Sequence, residues 1–137
     1  MSCLNLEQTH NFATSVGGIL NYCWLRLLPG FIRVAPIGLP TKAEARKRII
    51  QFMIDELKNY DCTAMPLAKA GVEAADLEAS AQPEYTLYYQ TFVRIVGEIY
   101  AVVANYLASN VPPMRRDPNR FAVGYLHGLL VKMAGKQ

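Results

Sequence analysis

Residues 85–108 form a stretch of 24 residues that contains only two charged side chains, Arg94 and Glu98. A helix of this length is long enough to cross a bilayer. Each charge near its middle, however, would cost about 2.5–3.5 kcal/mol in the hydrocarbon core. The stretch therefore predicts the central helix of a soluble bundle rather than a membrane span, with Arg94 and Glu98 paired one turn apart.

The whole chain is also poor in charge: 18% of its 137 residues are charged and 52% are apolar. Average domains contain about 25% charged residues. A disordered protein needs the opposite balance, so the composition excludes that class. The length predicts one domain spanning residues 1–137, with a core large enough to fold without a disulfide or a metal.

The three cysteines are Cys3, Cys23 and Cys62, and no two of them form a CxxC pair. An odd number of widely spaced cysteines indicates neither a disulfide framework nor a zinc site. We therefore expect reduced thiols, a cytoplasmic location, and neither a metal nor a cofactor.

Apolar residues recur at helical spacing in four segments, and the helices are predicted at about residues 6–28, 41–60, 84–109 and 117–134. A short fifth helix is an alternative for residues 72–80. The sequence thus predicts an all-α fold, an irregular four- to five-helix bundle.

Local signals mark the ends of these helices. Pro29 and the glycine after it predict the end of the first helix. Thr41 and Glu44 form a capping box that starts the second helix. Asp117, followed by a proline, predicts the start of the fourth, because Asp caps a helix and Pro fits its first turn.

One face of the fourth helix carries large apolar residues at helical spacing. These residues are Phe121, Tyr125, Leu129 and Met133. Because they align along the helix axis, we expect this face to be buried.

Small residues form stripes on the third and fourth helices. The stripes consist of Gly97, Ala101, Ala104 and Ala108 and of Gly124 and Gly128. Such stripes let two helix backbones approach closely, so we predict that the two helices cross there. Overpacking in Gly128→Leu would then cost several kcal/mol. The alternative use of the stripes is oligomerisation.

Basic residues are concentrated in two clusters. The first basic cluster consists of Lys42, Arg46, Lys47 and Arg48, and the second consists of Arg115, Arg116 and Arg120. Positive charge near a helix N-terminus opposes the helix dipole by about 0.3–1 kcal/mol per charge, so the first cluster suggests a role beyond helix stability. We predict that both clusters bind a partner or an anion, with a solvated face as the alternative. At the second cluster, the carboxylate of Asp117 would compete with an anion.

Three tyrosines near the start of the third helix are candidate interface residues. They are Tyr85, Tyr88 and Tyr89. Tyrosine is enriched in interface hot spots, which favours a protein interface for these side chains. Tyr88 points about 100° away from Tyr89, so the three cannot all face the same side.

No catalytic motif is present, and His10 and His127 have no ligand or base partner at a suitable spacing. We predict a non-enzymatic helical binding protein, acting as an adaptor, an inhibitor or a subunit of an assembly, with a protein partner. The first alternative is a subunit that binds the nucleic-acid backbone without reading bases. A lower alternative is a peripheral membrane protein that docks through its apolar N-terminal helix. Homo-oligomerisation is compatible with these functions.

Overall fold

The computed structural model describes residues 6–32, 41–60, 83–113 and 117–135. These residues form four helices: α1 (Leu6–Ile32), α2 (Lys42–Lys58), α3 (Pro83–Ser109) and α4 (Pro118–Gly135). No strand occurs in this part of the chain, so the all-α bundle is confirmed, with four helices. The short helix considered for residues 72–80 lies outside the described residues.

The caps of α2 and α4 form as their sequences predict. The Thr41 hydroxyl accepts the backbone N–H of Glu44 at 3.1 Å and donates to the Glu44 carboxylate at 3.2 Å. The Asp117 carboxylate accepts the backbone N–H of Arg120 at 3.2 Å. The contacts to the N–H groups of Glu44 and Arg120 each satisfy one of the backbone donors that a helix leaves unpaired at its start.

The predicted end of α1 at Pro29 is wrong, because the helix continues to Ile32. Proline inside a helix removes the hydrogen bond of its own N–H and places its ring against the carbonyl four residues earlier, which kinks or breaks the helix. The residues after it can still donate to carbonyls of the preceding turn, so the helical backbone extends beyond the break signal.

The four helices pack in the order α1, α4, α2, α3 around the bundle. Helices α1 and α3 are antiparallel, because Phe12 contacts Tyr106 (5.6 Å between ring centroids) while Trp24 contacts Tyr89 (5.3 Å). Helices α3 and α4 are not close neighbours along their backbones. They meet through the rings of Tyr106 and Tyr125, whose centroids are 5.0 Å apart.

The predicted crossing of α3 and α4 along their small residues is therefore wrong. A Cβ atom added at Gly97, Gly124 or Gly128 would meet nothing within 4 Å, and the three glycines are exposed. Small residues permit a close approach but contribute little buried area. The larger apolar residues on other faces of both helices bury more area against α1 and α2, and they decide the packing.

The core face of α4 lies one residue away from the predicted one. Ala122, Leu126 and Leu130 are fully buried, whereas Phe121 and Tyr125 are only partly buried. Adjacent rows on a helix differ by about 100°, and both rows of α4 are apolar, so the sequence pattern does not distinguish them. Met133 belongs to the buried row as predicted.

The core contains side chains from all four helices. Its fully buried large side chains are Phe12, Val16, Ile19, Ile49, Ile50, Met53, Tyr88, Ile95, Ile99, Leu126 and Leu130. Close packing of this set fixes which faces of α1 and α3 remain at the surface.

Candidate functional site

Among the described helices, only α3 is long and apolar enough to cross a membrane, yet much of it is exposed. Its segment Thr86–Ser109 is long enough to cross a membrane, and the most apolar 18-residue window in it has a mean hydropathy of 1.3, yet only 28% of that window is buried in the bundle. A core helix of a soluble bundle would be mostly buried. One face of α3 packs against the bundle, as the sequence predicts. A large part of the helix nevertheless faces outward.

The exposed side of α3 carries an uncharged row, which we call the apolar stripe: Tyr89, Val93, Gly97, Tyr100 and Ala104. At 100° per residue, these five positions fall within about 80° of the helix circumference. Tyr89, Val93 and Tyr100 are 45%, 48% and 42% exposed, respectively. Apolar side chains exposed in a continuous row are typical of surfaces that bind other molecules.

A groove of about 270 Å³ lies beside the apolar stripe, between α1 and α3. Its walls include Leu20 and Trp24 from α1 and Phe92 from α3. The indole of Trp24 packs against the ring of Phe92 at 5.1 Å and edge-on to Tyr89 at 5.3 Å. These ring contacts hold the groove in shape, because they fix the walls on both helices.

Some residues of the first basic cluster form ion pairs and hydrogen bonds within the bundle. The Arg46 guanidinium donates to both carboxylate oxygens of Glu98, at 2.6 and 2.7 Å. Glu98 therefore pairs with Arg46 and not with Arg94, so the predicted pairing one turn along α3 is wrong. A bidentate contact to a residue on another helix has better geometry than a contact along the same helix.

Arg48 is also engaged, while the two lysines of the cluster are exposed. Arg48 donates to the Tyr88 hydroxyl at 3.2 Å and approaches the Glu44 carboxylate at 3.8 Å. Lys42 and Lys47 have no ion pair among the described residues. The surface charge that this cluster offers to another molecule is therefore carried mainly by its lysines.

Lys42 lines a second cavity, of about 260 Å³, between α2 and α3, which we call the basic cleft. Its lining includes Lys42, Arg46, Leu87, Gln90, Arg94 and Glu98. Arg94 is exposed and has no ion pair within the described part of the chain. The cleft therefore contains three cations and one carboxylate.

The second basic cluster is described only at Arg120. Its guanidinium is 3.7 Å from the Asp117 carboxylate and is largely exposed. Because Asp117 also caps α4, an anion does not have free access to this helix start. Arg115 and Arg116 lie outside the described residues.

The three candidate tyrosines differ in their positions. Tyr88 is fully buried, so it is a core residue and not an interface residue. Tyr89 belongs to the exposed apolar stripe, and the side chain of Tyr85 is outside the described residues. Val93 and Tyr100 were not assigned to the interface from the sequence, although their spacing from Tyr89, by four and eleven residues, would have placed all three on one side of the helix.

Two buried polar features lie away from these surfaces. Burial raises the pKa of the Cys23 thiol to about 12, with a smaller contribution from the charge of Glu56. His127, expected to be exposed or satisfied, has a buried Nε2 atom without a hydrogen-bond partner in the part of the chain described. No group of three potential metal ligands occurs within the described residues.

No protein-family model matches the chain, and no curated protein or solved structure matches it either.

Proposed function

We propose that this chain is a helical binding protein whose apolar stripe and adjoining groove bind a helix of a protein partner. The observation that carries the proposal is that α3, the one described helix apolar enough to cross a membrane, is only 28% buried over its most apolar window. A ridge of exposed side chains beside an aromatic groove suits the apolar face of an amphipathic helix. The proposal assigns the chain no reaction of its own.

The charges around the apolar stripe favour a protein partner over a lipid surface. Helices that lie in a membrane interface are typically rich in Lys and Arg on their polar face. Among its described side chains, α3 has one base, Arg94, and one acid, Glu98. The described residues that line the adjoining groove include no charged side chain, so no basic rim borders the stripe on that side.

Internal contacts reduce the support for a nucleic-acid backbone as the partner. Arg46 is neutralised by Glu98, and Arg48 is held by Tyr88 and Glu44. Binding to the backbone of a nucleic acid depends on lysine and arginine side chains that are free to replace the counterions of its phosphates. A charge reversal at Arg46 or Arg48 would also disturb the bundle, so it is a poor test of nucleic-acid binding, and the exposed Lys47 is the better position.

The proposal is tested by placing a charge in the stripe. Val93→Glu changes the stripe on α3, and Val131→Glu is the matched control, because both valines are 48% exposed. We expect the wild-type chain and Val131→Glu to retain a common protein partner from extracts of the source cells. We expect Val93→Glu to bind the purified partner at least tenfold more weakly, because burial of its carboxylate is costly.

Light scattering and vesicle co-sedimentation identify the kind of partner. Self-association that is lost only in Val93→Glu identifies the partner as a second copy of the chain and supports the proposal. Equal capture by all three proteins contradicts a role for the stripe. Vesicle binding that Val93→Glu abolishes contradicts a protein partner and favours a membrane surface instead.

A further inference from the structure

We propose that the basic cleft between α2 and α3 binds the phosphate group of a small phosphate monoester. Among the described residues that line it, Lys42, Arg46 and Arg94 are cations, and only Glu98 is an anion. This inference does not rest on the function proposed for the apolar stripe, because it depends on a different cavity and on different residues.

The one carboxylate among the described residues of the cleft is paired with one arginine. Arg46 donates to both oxygens of Glu98, at 2.6 and 2.7 Å. Lys42 and Arg94 have no ion pair among the described residues. Two uncompensated positive charges therefore line the same cleft, and a phosphate monoester supplies about −1.5 to −2 charges at pH 7.

The position of Lys42 makes its positive charge unfavourable in the absence of an anion. Lys42 is the first residue of α2, where the helix dipole already concentrates positive charge. Arg94 adds a like charge from the opposite wall of the cleft. A bound anion offsets the repulsion of Lys42 by the helix dipole and by Arg94. A phosphate dianion does so more completely than a carboxylate ligand, which carries only one negative charge.

The donor types on the two walls suit a phosphate group. The guanidinium of Arg94 can donate two parallel hydrogen bonds to phosphate oxygens, whereas Lys42 supplies a compact positive charge. Gln90, one turn before Arg94, adds a neutral amide donor to the same wall. Together these groups offer donors from both α2 and α3.

The size and lining of the cleft limit the rest of the ligand. Its volume of about 260 Å³ is slightly below the roughly 300–1,000 Å³ of typical small-molecule sites. Leu87 and Ala43 provide apolar lining beside the charged groups. The cleft therefore fits a phosphate on a small apolar body better than a dinucleotide.

Calorimetric titration of the full chain with phenyl phosphate and with inorganic phosphate, at pH 7.5 and low salt, tests the proposal. We expect saturable binding at one site. Arg94→Gln and Lys42→Gln should each weaken it at least tenfold. The control Lys132→Gln, which removes an exposed charge from α4, should change the affinity less than twofold.

A fourth variant tests the arrangement of charges inside the cleft. Glu98→Gln removes the one carboxylate among the described lining residues and releases Arg46 as a third unpaired cation, so it should bind phosphate several-fold more tightly than the wild-type chain. A thermal melt of each variant confirms that it is folded. Weaker binding by folded Glu98→Gln contradicts the proposed division of charges.

The source of the phosphate is distinguished by two further ligands, a single-stranded oligonucleotide and vesicles containing a phosphorylated lipid headgroup. Tighter binding of the lipid headgroup than of phenyl phosphate, with the same loss in Arg94→Gln, supports the site and identifies the source. Tighter binding of the oligonucleotide contradicts a small monoester as the ligand. The absence of saturable binding to all these ligands, or an equal loss in Lys132→Gln, overturns the proposal. Val93→Glu should bind phosphate normally, so failure of the stripe proposal is distinguishable from failure of this one.

Discussion

At the scale of single residues, some ion pairs of this bundle join side chains that are distant in sequence. Arg46 and Glu98 form a bidentate ion pair across 52 residues, and it ties α2 to α3 at one side of the basic cleft. Glu98 is half exposed, so solvent screening keeps the stabilisation by the pair near the values of about 0.2–1 kcal/mol measured for exposed pairs. The main consequence of the pair is therefore to define which cations in the cleft remain unpaired.

Cys23 gives a prediction at the same scale. Burial raises the pKa of its thiol from 9.0 to about 12. Between these values the unfolded chain loses the proton and the folded chain keeps it, so folding stability falls as the pH rises above 9. The slope that this group contributes is about 1.4 kcal/mol per pH unit.

Urea unfolding of the wild-type chain and of Cys23→Ala between pH 8 and pH 11 measures this effect. The cavity left by the substitution lowers stability at every pH, but the variant should lose less stability than the wild type as the pH rises above 9. Parallel curves over the whole range would show that the buried thiol does not contribute to the alkaline loss of stability.

At the scale of the helices, the caps at the helix starts stabilise the helices, whereas the glycines inside them are destabilising. The Thr41 and Asp117 caps satisfy backbone N–H groups at the starts of α2 and α4. Gly124 and Gly128 lie inside α4, exposed, with open space around each Cα. Glycine in a helix interior costs about 1 kcal/mol relative to alanine, and no packing contact among the described residues offsets that cost here.

Gly128→Ala should therefore stabilise the chain by about 0.5–1 kcal/mol, as measured by the urea midpoint. The contrasting variant is Gly17→Ala, whose added Cβ atom would lie 3.2 Å from the Tyr100 hydroxyl and would force that side chain to move. A loss of stability in Gly128→Ala would mean that this face of α4 packs closely against something in solution.

At the scale of the whole molecule, one ring connects three of the four helices. Phe12 of α1 packs against Tyr106 of α3 and against Phe121 and Tyr125 of α4, with centroid distances of 5.3–5.6 Å. Phe12 is also almost fully buried. The end of the bundle where α1 and α4 begin and α3 ends is therefore held together by a single aromatic cluster.

Phe12→Ala should destabilise the chain by about 3–5 kcal/mol, because it leaves a cavity between three helices. That is a large share of the roughly 5–15 kcal/mol of a typical domain. Circular dichroism during urea unfolding measures the loss, and Leu6→Ala, at a position on α1 that is 75% exposed, is the control. A loss below about 1 kcal/mol in Phe12→Ala would contradict the central position of this ring.

Most of the local structure was predictable from the sequence by itself. The four helices, the caps at Thr41 and Asp117, and the low charge of α3 follow from signals that act within a few residues. The candidate binding region was predicted in part: α3 and the first basic cluster were identified, but Val93, Tyr100 and Arg94 were not assigned to a site. The prediction that α1 would end at Pro29 was wrong, because the residues after this proline can still donate to earlier carbonyls and continue the helix.

Only the tertiary structure decided which faces are buried and which charges remain free. Both rows of α4 and several rows of α3 are apolar, so the choice between them depends on the total area buried against α1 and α2. That choice buries Tyr88, exposes Val93, and pairs Glu98 with Arg46 instead of Arg94. A local pattern determines that a helix forms, whereas the surface it presents results from contacts between residues far apart in the chain.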